Sequence, residues 1–403
     1  CRAAAAACSQ GQHQAGPQCL CRVAFGREKR RVKMHARILR ARMKTLMSLP
    51  IWLRVILTLG LALAAAALCV WLKTPIPWMI GPLLVVSLAS MCGAPTRSWA
   101  PLRNAGQWTI GTALGLYFTA EVTALVLGLW WAIALGIVWA LVLGLLFGRW
   151  LYRVNVRHFS AVPAPVLRST TYFAGAIGGA SEMTLLAERV HARTDLVAAS
   201  HSMRLVIVTL LIPFAMQFSG VQALDVLPPS IRAVDTVGLL CLALLTGAGA
   251  LLMRRLGRAN PWFMGALVVA MGLTMAGVSL SAIPQWLSNA AQLVIGVSLG
   301  VRFTSEFVHT APRWLVSVAL GTVGMVGVCA GFAWLLSLAT GLHWATMVLG
   351  TSPGGIAEMA ITAKVLQLGV PVVTAFQVSR LIAVLILVEP LYRHVAHRRR
   401  PAA

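Results

Sequence analysis

The chain has 403 residues, of which 59% are hydrophobic and 11% charged, and its mean hydropathy is +0.81. Soluble domains carry about 25% charged residues, so this composition excludes a soluble enzyme. The formal net charge of +24 would suit a nucleic-acid partner, but the basic residues lie in the two tails and in short loops between apolar runs. That placement is the positive-inside pattern. We predict an all-α polytopic membrane protein that contacts the lipid bilayer and no nucleic acid.

Residues 1–46 precede the first apolar run and are rich in Ala, Gln and Arg, without hydrophobic periodicity. They lack the basic region, apolar core and cleavage site of a signal peptide. We interpret them as a basic disordered tail or as a mis-assigned start, with Met34, Met43 and Met47 as alternative first residues. Four of the eight cysteines lie in this tail and four in apolar segments. This distribution predicts neither a disulfide framework nor a metal site.

Twelve hydrophobic segments follow, six in each of two repeats that we place at residues 47–220 and 221–395, before a basic C-terminal tail at 396–403. In the first repeat the segments lie near residues 51–72, 76–93, 103–120, 122–148, 163–187 and 197–219. In the second they lie near residues 234–253, 260–281, 287–304, 314–340, 344–366 and 371–392.

The two repeats carry the same motifs in the same order. Pro-Trp-x-x-Gly opens each motif series, Asn-Ala-x-Gln follows with two glycines four residues apart, and Gly-Gly-x-x-Glu-Met precedes a later arginine. The matched positions are 77–81 and 261–265, 104–107 and 289–292, 178–183 and 354–359, and Arg204 and Arg380. A duplicated hydrophobic half with polar residues at matched positions is typical of secondary transporters.

The fifth segment of each repeat contains helix-breaking residues, at 175–182 and 350–358. Non-helical backbone at membrane depth persists only inside protein or beside a water-filled cavity, so we predict a broken helix or a re-entrant hairpin there. If these segments re-enter, each repeat crosses five times and the repeats are inverted. The loop that contains Arg254, Arg255 and Arg258 then lies inside, with both termini in the cytoplasm. If all twelve segments cross, the repeats are parallel and this loop lies outside, against the positive-inside rule.

Four charged residues lie in these membrane segments at matched positions: Glu182 and Arg204, and Glu358 and Arg380. A charge at the bilayer centre costs about 2.5–3.5 kcal/mol or more unless it is paired or hydrated. We predict that the four form a midplane binding site, where the carboxylates bind a cation or proton and the guanidinium groups bind an anionic group. The alternative is a buried Glu–Arg pair in each repeat that only locks neighbouring helices together.

Further candidate ligands lie beside these charges. A helix break at the glycine pairs would expose backbone N–H and C=O groups to a solute, and nearby hydroxyl groups would add ligands. These residues are Gly178, Gly179, Gly354, Gly355, Thr351, Ser352 and Ser181. The alternative for the glycines is close helix packing. Gln107 and Gln292 either contact the solute or hydrogen-bond across helices, and the glycines at four-residue spacing after each of them favour packing.

These motifs together resemble the AbrB-type duplicated membrane proteins of bacteria, over about residues 50–395. The resemblance implies an integral inner-membrane protein and, for some members, regulation of gene expression; members are often labelled ammonia monooxygenases. The first repeat departs from the second at Ile177, where the second has Pro353, which puts an equal role for the repeats in question. A soluble DNA-binding regulator shares the family name, and this chain does not resemble it.

We predict no enzyme activity and no cofactor, because the sequence has no clustered histidine and carboxylate ligands for copper or iron and no nucleophile or nucleotide motif. Our leading hypothesis is an inner-membrane secondary transporter or exporter of a small polar or amphipathic solute, with proton coupling through the glutamates as a weaker hypothesis. The alternatives are a membrane protein that regulates gene expression and, last, a monooxygenase. The sequence leaves a homo-oligomer open.

Overall fold

The computed structural model describes residues 50–160, 162–220, 233–258, 260–304 and 312–397. Fifteen α-helices and no strand are present in these ranges. The predicted tail at 1–46, and residues 398–403 of the predicted C-terminal tail, lie outside the described residues.

Eight helices belong to the first repeat: α1 (Ile51–Trp71), α2 (Pro77–Met91), α3 (Ala100–Gly115), α4 (Ala120–Gly128), α5 (Trp130–Asn155), α6 (Ala164–Gly175), α7 (Ala180–Arg189) and α8 (Thr194–Phe218). Seven belong to the second: α9 (Thr236–Arg255), α10 (Pro261–Met275), α11 (Gln285–Gly300), α12 (Pro312–Thr340), α13 (Trp344–Thr351), α14 (Ile356–Val365) and α15 (Val370–His397). The matched pairs are α1 and α9, α2 and α10, α3 and α11, α5 and α12, α6 and α13, α7 and α14, and α8 and α15.

Six of these helices are long and apolar enough to cross a membrane, and they occupy matched places, three in each repeat: α1, α5, α8, α9, α12 and α15. The helices α3 and α4 add one span or a re-entrant loop, because they are bent by 87° at a short break. The prediction of an all-α polytopic membrane protein is confirmed. The break after Gly115 lies close to the predicted boundary between the third and fourth segments. It arises because Thr119 caps a new helix by accepting a hydrogen bond from the Val122 N–H at 3.3 Å.

The starts of α2 and α10 share an unusual backbone geometry. Ile76 and Asn260, the residues before each Pro-Trp motif, have φ of 46° and 47°. The prolines that follow occupy the first turn of each helix, where a missing N–H costs nothing and a fixed φ suits the helix. The repeated sequence motif therefore encodes a repeated chain reversal.

The spaced glycines of each repeat pack against a helix of the other repeat. A Cβ at any of these four positions would collide with or press on a backbone carbonyl oxygen: Gly111 with Phe263, Gly115 with Leu267, Gly296 with Met79 and Gly300 with Leu83. Such contacts require the absence of a side chain. At these four positions the glycines serve close helix packing, as their spacing predicts.

These contacts also give the relative direction of the helices. Residue numbers rise together along both contacts, so α3 runs parallel to α10 and α11 runs parallel to α2. The predicted inverted repeats require this parallel packing if α2 and α3, which follow each other in the chain, cross in opposite directions, because α2 then also opposes its counterpart α10. Parallel repeats with the same crossing would make α3 and α10 antiparallel. Near the axis that relates the repeats, Gly106 faces Ala291, its counterpart, with an added Cβ 3.1 Å from the Ala291 carbonyl oxygen.

Candidate functional site

The fifth segment of each repeat consists of two short helices separated by non-helical residues. The helix α6 ends at Gly175 and α7 begins at Ala180, whereas α13 ends at Thr351 and α14 begins at Ile356. The glycines that cap α7 and α14, Gly179 and Gly355, have extended backbone with φ of −66° and −77°. Left-handed backbone is therefore not the reason for glycine at these caps, and the reason has to be space.

The first break is held by Arg204 on α8, and this arginine is 3% exposed. Its guanidinium donates to the carbonyl oxygen of Ala176 at 2.8 Å and to those of Ala174 and Gly175 at 3.4 Å. These are carbonyl groups left without helical partners where α6 ends. A positive charge at a helix C-terminus also interacts favourably with the helix dipole.

The second break is held in the same way by Arg380 on α15, which is 6% exposed. Its guanidinium donates to the Ser352 carbonyl oxygen and, at 2.8 Å, to that of Gly354. Both arginines therefore bind the non-helical backbone of their own repeat, which is a role that the sequence did not indicate.

A polar residue three positions before each arginine completes the arrangement. Arg204 donates to His201 Nδ1 at 2.6 Å, and because arginine cannot accept, His201 carries its proton on Nε2 and donates to the Phe173 carbonyl oxygen at 2.9 Å. Arg380 donates to Gln377 Oε1 at 2.6 Å, and Gln377 Nε2 donates to the carbonyl oxygen of Leu349 at 2.7 Å. We call His201 and Gln377 the relay residues.

The sequence analysis assigned this role to neither His201 nor Gln377. The available signal was positional: both relay residues lie three residues before a buried arginine, on the same face of matched helices. This correspondence is easily missed because histidine and glutamine are different residue types at the matched positions. Each nevertheless has one acceptor and one donor in the required places.

The two glutamates fold back over the glycines that precede their helices. Glu182 is the third residue of α7 and Glu358 the third of α14. An added Cβ at Gly179 would collide with the Glu182 carboxylate, and one at Gly355 with that of Glu358. Only glycine leaves this space, and each carboxylate therefore lies over the positive N-terminus of its own helix.

Neither predicted Glu–Arg pair is formed. In the parts of the chain that the structure describes, the ion pairs join Arg189 to Glu389, Arg193 to Asp195 and Arg393 to Glu389. The alternative of a helix-locking Glu–Arg pair within each repeat is therefore not supported. Arg302, which lies after α11, is within electrostatic range of both Glu182 and Glu358. Sequence comparison of the repeats missed it because its counterpart is Tyr117.

The remaining candidate ligands are hydroxyl and amide side chains. The hydroxyl groups of Thr351 and Ser352 donate to Met347, at 2.8 Å, and to Val348, both carbonyl oxygens of their own helix. Gln292 is 3% exposed and Gln107 is half-buried, and neither side chain has a hydrogen-bond partner among the described residues. Their amides thus remain free to bind a solute or water.

The two breaks lie next to each other. A Cβ at Gly178 would come 3.1 Å from Val384 Cγ1 on α15, and one at Gly355 would come 3.1 Å from Leu205 Cδ1 on α8. Each break thus touches the final helix of the opposite repeat. Arg204 and Arg380 are also close enough for their charges to interact. The structure brings together both breaks, both glutamates and both arginines.

A duplicated, all-helical membrane protein with two adjacent helix breaks is the class that this fold and this site define. The chain matches, over residues 78–396, the family described as "Transition state regulatory protein AbrB", and it belongs to that family.

Two similar proteins cover most of this chain. "Uncharacterized protein YhjN" of Bacillus subtilis (strain 168) is 27% identical over 351 residues, which are 80% of this chain and 88% of that protein. "Putative regulator AbrB" of Escherichia coli (strain K12) is 24% identical over 353 residues, which are 84% of this chain and 94% of that protein.

Proposed function

We propose that the protein is a secondary transporter or exporter of a small polar or amphipathic solute, and that the solute binds at the two helix breaks. The observation that carries this proposal is the adjacency of two matched breaks with buried charges. Broken helices at a repeat interface are where many transporters bind solutes and coupling ions. Buried charges without ion-pair partners are costly, and a binding function accounts for that cost.

The different exposure of the breaks adds support. Gly179 and Glu182 of the first break are half-buried and Ser181 is exposed, whereas Ser352 of the second is fully buried and Glu358 is 7% exposed. Alternating access needs two related states in which the same site opens to one side and then to the other. An inverted repeat with unequal exposure of its halves fits one such state.

Flux in proteoliposomes tests the proposal. The full chain is reconstituted with an internal pH dye, and a panel of radiolabelled small carboxylates, phosphate, amines and neutral polyols is supplied as a gradient, so that solute uptake and proton movement are both recorded. We expect at least one solute to move, and the Glu358→Gln and Arg380→Ala variants to slow it at least about tenfold, as the loss of a charged contact predicts. Glu188→Gln, on the exposed end of α7, is the matched control. Equal flux in the wild type and in both site variants would remove the site assignment.

We propose further that the protein lies in the bacterial inner membrane with both termini in the cytoplasm. The basic loop at 254–258 follows α9 and supports this orientation through the positive-inside rule. The test is a single cysteine at Leu256 in a cysteine-free background, labelled by an impermeant thiol reagent. Protection in intact cells and labelling in opened cells are expected. Labelling in intact cells would place this loop outside and would contradict the proposed orientation.

A second candidate, regulation of gene expression from the membrane, is favoured by the names of the family and of the relative from Escherichia coli. Transcripts of a strain that lacks the protein would be compared after complementation with the wild type or with Glu358→Gln. Restoration by both would indicate regulation that does not need the site. Restoration by the wild type alone would indicate that any effect on transcripts follows from transport.

A further inference from the structure

The anion-binding end of each short helix is already occupied by the chain itself. Helix N-termini attract anions because their N–H groups are unpaired and the dipole is positive. Over α14 the occupant is Glu358, which is 7% exposed and whose carboxylate accepts no hydrogen bond from another described residue. Over α7 the occupant is Glu182. Each break therefore carries an anion site filled by a tethered carboxylate.

The surroundings hold more positive charge than these carboxylates neutralise. The helices packed against α14 are α3, α8, α13 and α15. Their titratable groups near the break are Arg103 on α3, His201 and Arg204 on α8, and Arg380 on α15, while α13 has none; Arg302 and Glu182 complete the set. Arg204 and Arg380 bind the backbone of the two breaks, Arg302 is within electrostatic range of both carboxylates, and Arg103 is within range of Arg302. This region therefore contains four guanidinium groups and two carboxylates, with His201 held neutral by its bond from Arg204.

Two of these guanidinium groups also have an unused donor. The Nε atoms of Arg103 and Arg380 are buried and lack a hydrogen-bond partner. A buried donor without a partner is costly and usually marks a missing ion or water. Excess positive charge and unused N–H donors together are the requirements for binding an oxyanion.

We propose that the solute is a small oxyanion, a carboxylate or a phosphate, that replaces the Glu182 and Glu358 carboxylates at the helix N-termini, and that it moves together with protons. This inference rests on the proposed transport function and names its substrate class. A glutamate that takes up a proton loses its negative charge and releases the helix N-terminus. The incoming anion restores that charge, so the net charge of the site is the same before and after the exchange.

The geometry offers a test in which no charge is removed. The three atoms nearest to an added Cβ at Gly179 all belong to the Glu182 carboxylate group, the movable end of a flexible side chain. Gly179→Ala should therefore move the carboxylate away while the helix and the charge remain. Glu182→Gln and Glu358→Gln should produce the same vacancy by removing the charge, and Glu188→Gln serves as the control.

The measurement is thermal unfolding of the purified full chain in detergent, titrated with sodium acetate or sodium phosphate against sodium chloride of equal ionic strength. For the wild type we expect an apparent Kd about fivefold lower at acidic than at mildly alkaline pH, the scale of a helix-terminus charge interaction. Gly179→Ala, Glu182→Gln and Glu358→Gln should bind at alkaline pH about as tightly as the wild type does at acidic pH. The acetate and phosphate arms distinguish the two kinds of oxyanion.

The inference is overturned if neither anion stabilises the wild type at either pH, or if the variants only lower the unfolding temperature. It is also overturned if phosphatidylglycerol micelles stabilise the protein and the free anions do not, because the site would then hold a lipid headgroup. Proteoliposomes that move only cations or neutral solutes would leave transport standing while removing the oxyanion, so the two failures are distinguishable.

Discussion

The two helix breaks have the same framework but are built from different residues. In the first, Thr170 Oγ1 accepts from the Arg193 N–H at 3.0 Å; in the second, Thr346 Oγ1 accepts from the Gly369 N–H at 3.3 Å. Where Gly144 lies against the Gly175 carbonyl oxygen, its counterpart Cys329 donates to the Thr351 carbonyl oxygen at 3.7 Å. Similar geometry with different side chains indicates that the carbonyl-lined break itself is the feature that both repeats maintain.

The breaks differ in accessibility. Ser181 at the first is exposed, whereas Ser352 at the second is fully buried. The second contains Pro353 where the first has Ile177. Proline has no N–H to satisfy and a fixed φ, which suits a break that is closed over by protein. The comparison suggests that the second break is the stiffer and the first the more adaptable, and the following variants test how far the similarity extends.

Substitution of Arg204 or Arg380 should cause the largest loss of stability. Arg204→Leu and Arg380→Leu each leave buried carbonyl groups unpaired, which should cost about 3 kcal/mol or more. Arg380→Leu should be the more harmful, because the Arg204 bonds to Ala174 and Gly175 are long, at 3.4 Å. The temperature of thermal unfolding in detergent measures this, with Arg393→Leu on the surface as the control. A loss no greater than that of the control would mean that the arginines do not hold the breaks.

The next largest loss of stability is expected at the glycines that pack one repeat against the other. Gly111→Ala and Gly296→Ala each place a Cβ against a carbonyl oxygen of the opposite repeat, and overpacking of this kind costs about 1–3 kcal/mol. The two losses should be equal, since the contacts are related by the repeat. Gly324→Ala, where an added Cβ meets nothing within 4 Å, should be neutral or slightly stabilising. Unequal losses in the same unfolding assay would show that the repeats are not packed symmetrically.

Much of this architecture was readable from the sequence, and the reasons for the rest are physical. Gly-Gly-x-x-Glu-Met predicted a break because glycine weakens a helix wherever it falls. The roles of Arg204 and Arg380 were not predictable, because their partners are backbone carbonyls that any sequence supplies. The collision between a Cβ at Gly355 and the Glu358 carboxylate likewise depends on side-chain direction. Arg302 was missed because it reaches the site from a turn that has no charged counterpart.

Exchanging the relay residues should have a smaller effect. His201→Gln and Gln377→His keep one acceptor and one donor, and each should cost less than about 1 kcal/mol. His201→Leu and Gln377→Leu remove both and should cost about 1–2 kcal/mol. Flux should follow the same order, because the relay orients the guanidinium groups. If the leucine variants and the exchange variants lost equal stability, side-chain volume rather than hydrogen bonding would be the important property.

The ends of α7 and α14 should give the smallest effect. His191 and Gln367 follow these helices with φ of 55° and 52°, a left-handed conformation that is costly for residues with a Cβ. The repeats already show a replacement by glycine at another helix end. Lys73, after α1, has φ of 51°, and its counterpart after α9 is a glycine, Gly257, with φ of 62°. His191→Gly and Gln367→Gly should each stabilise the protein by about 0.5–1 kcal/mol.

The reverse change provides the control for these helix ends. Gly277 follows α10 with φ of 75° and has open space around an added Cβ. Gly277→Ala should therefore destabilise the protein by about 1 kcal/mol through the backbone conformation alone. Gly272 lies within α10 and also has open space, so Gly272→Ala should instead stabilise. Opposite signs at two uncrowded glycines of one helix would assign the effect to φ alone. A stabilising effect at both would mean that the left-handed helix ends cost nothing.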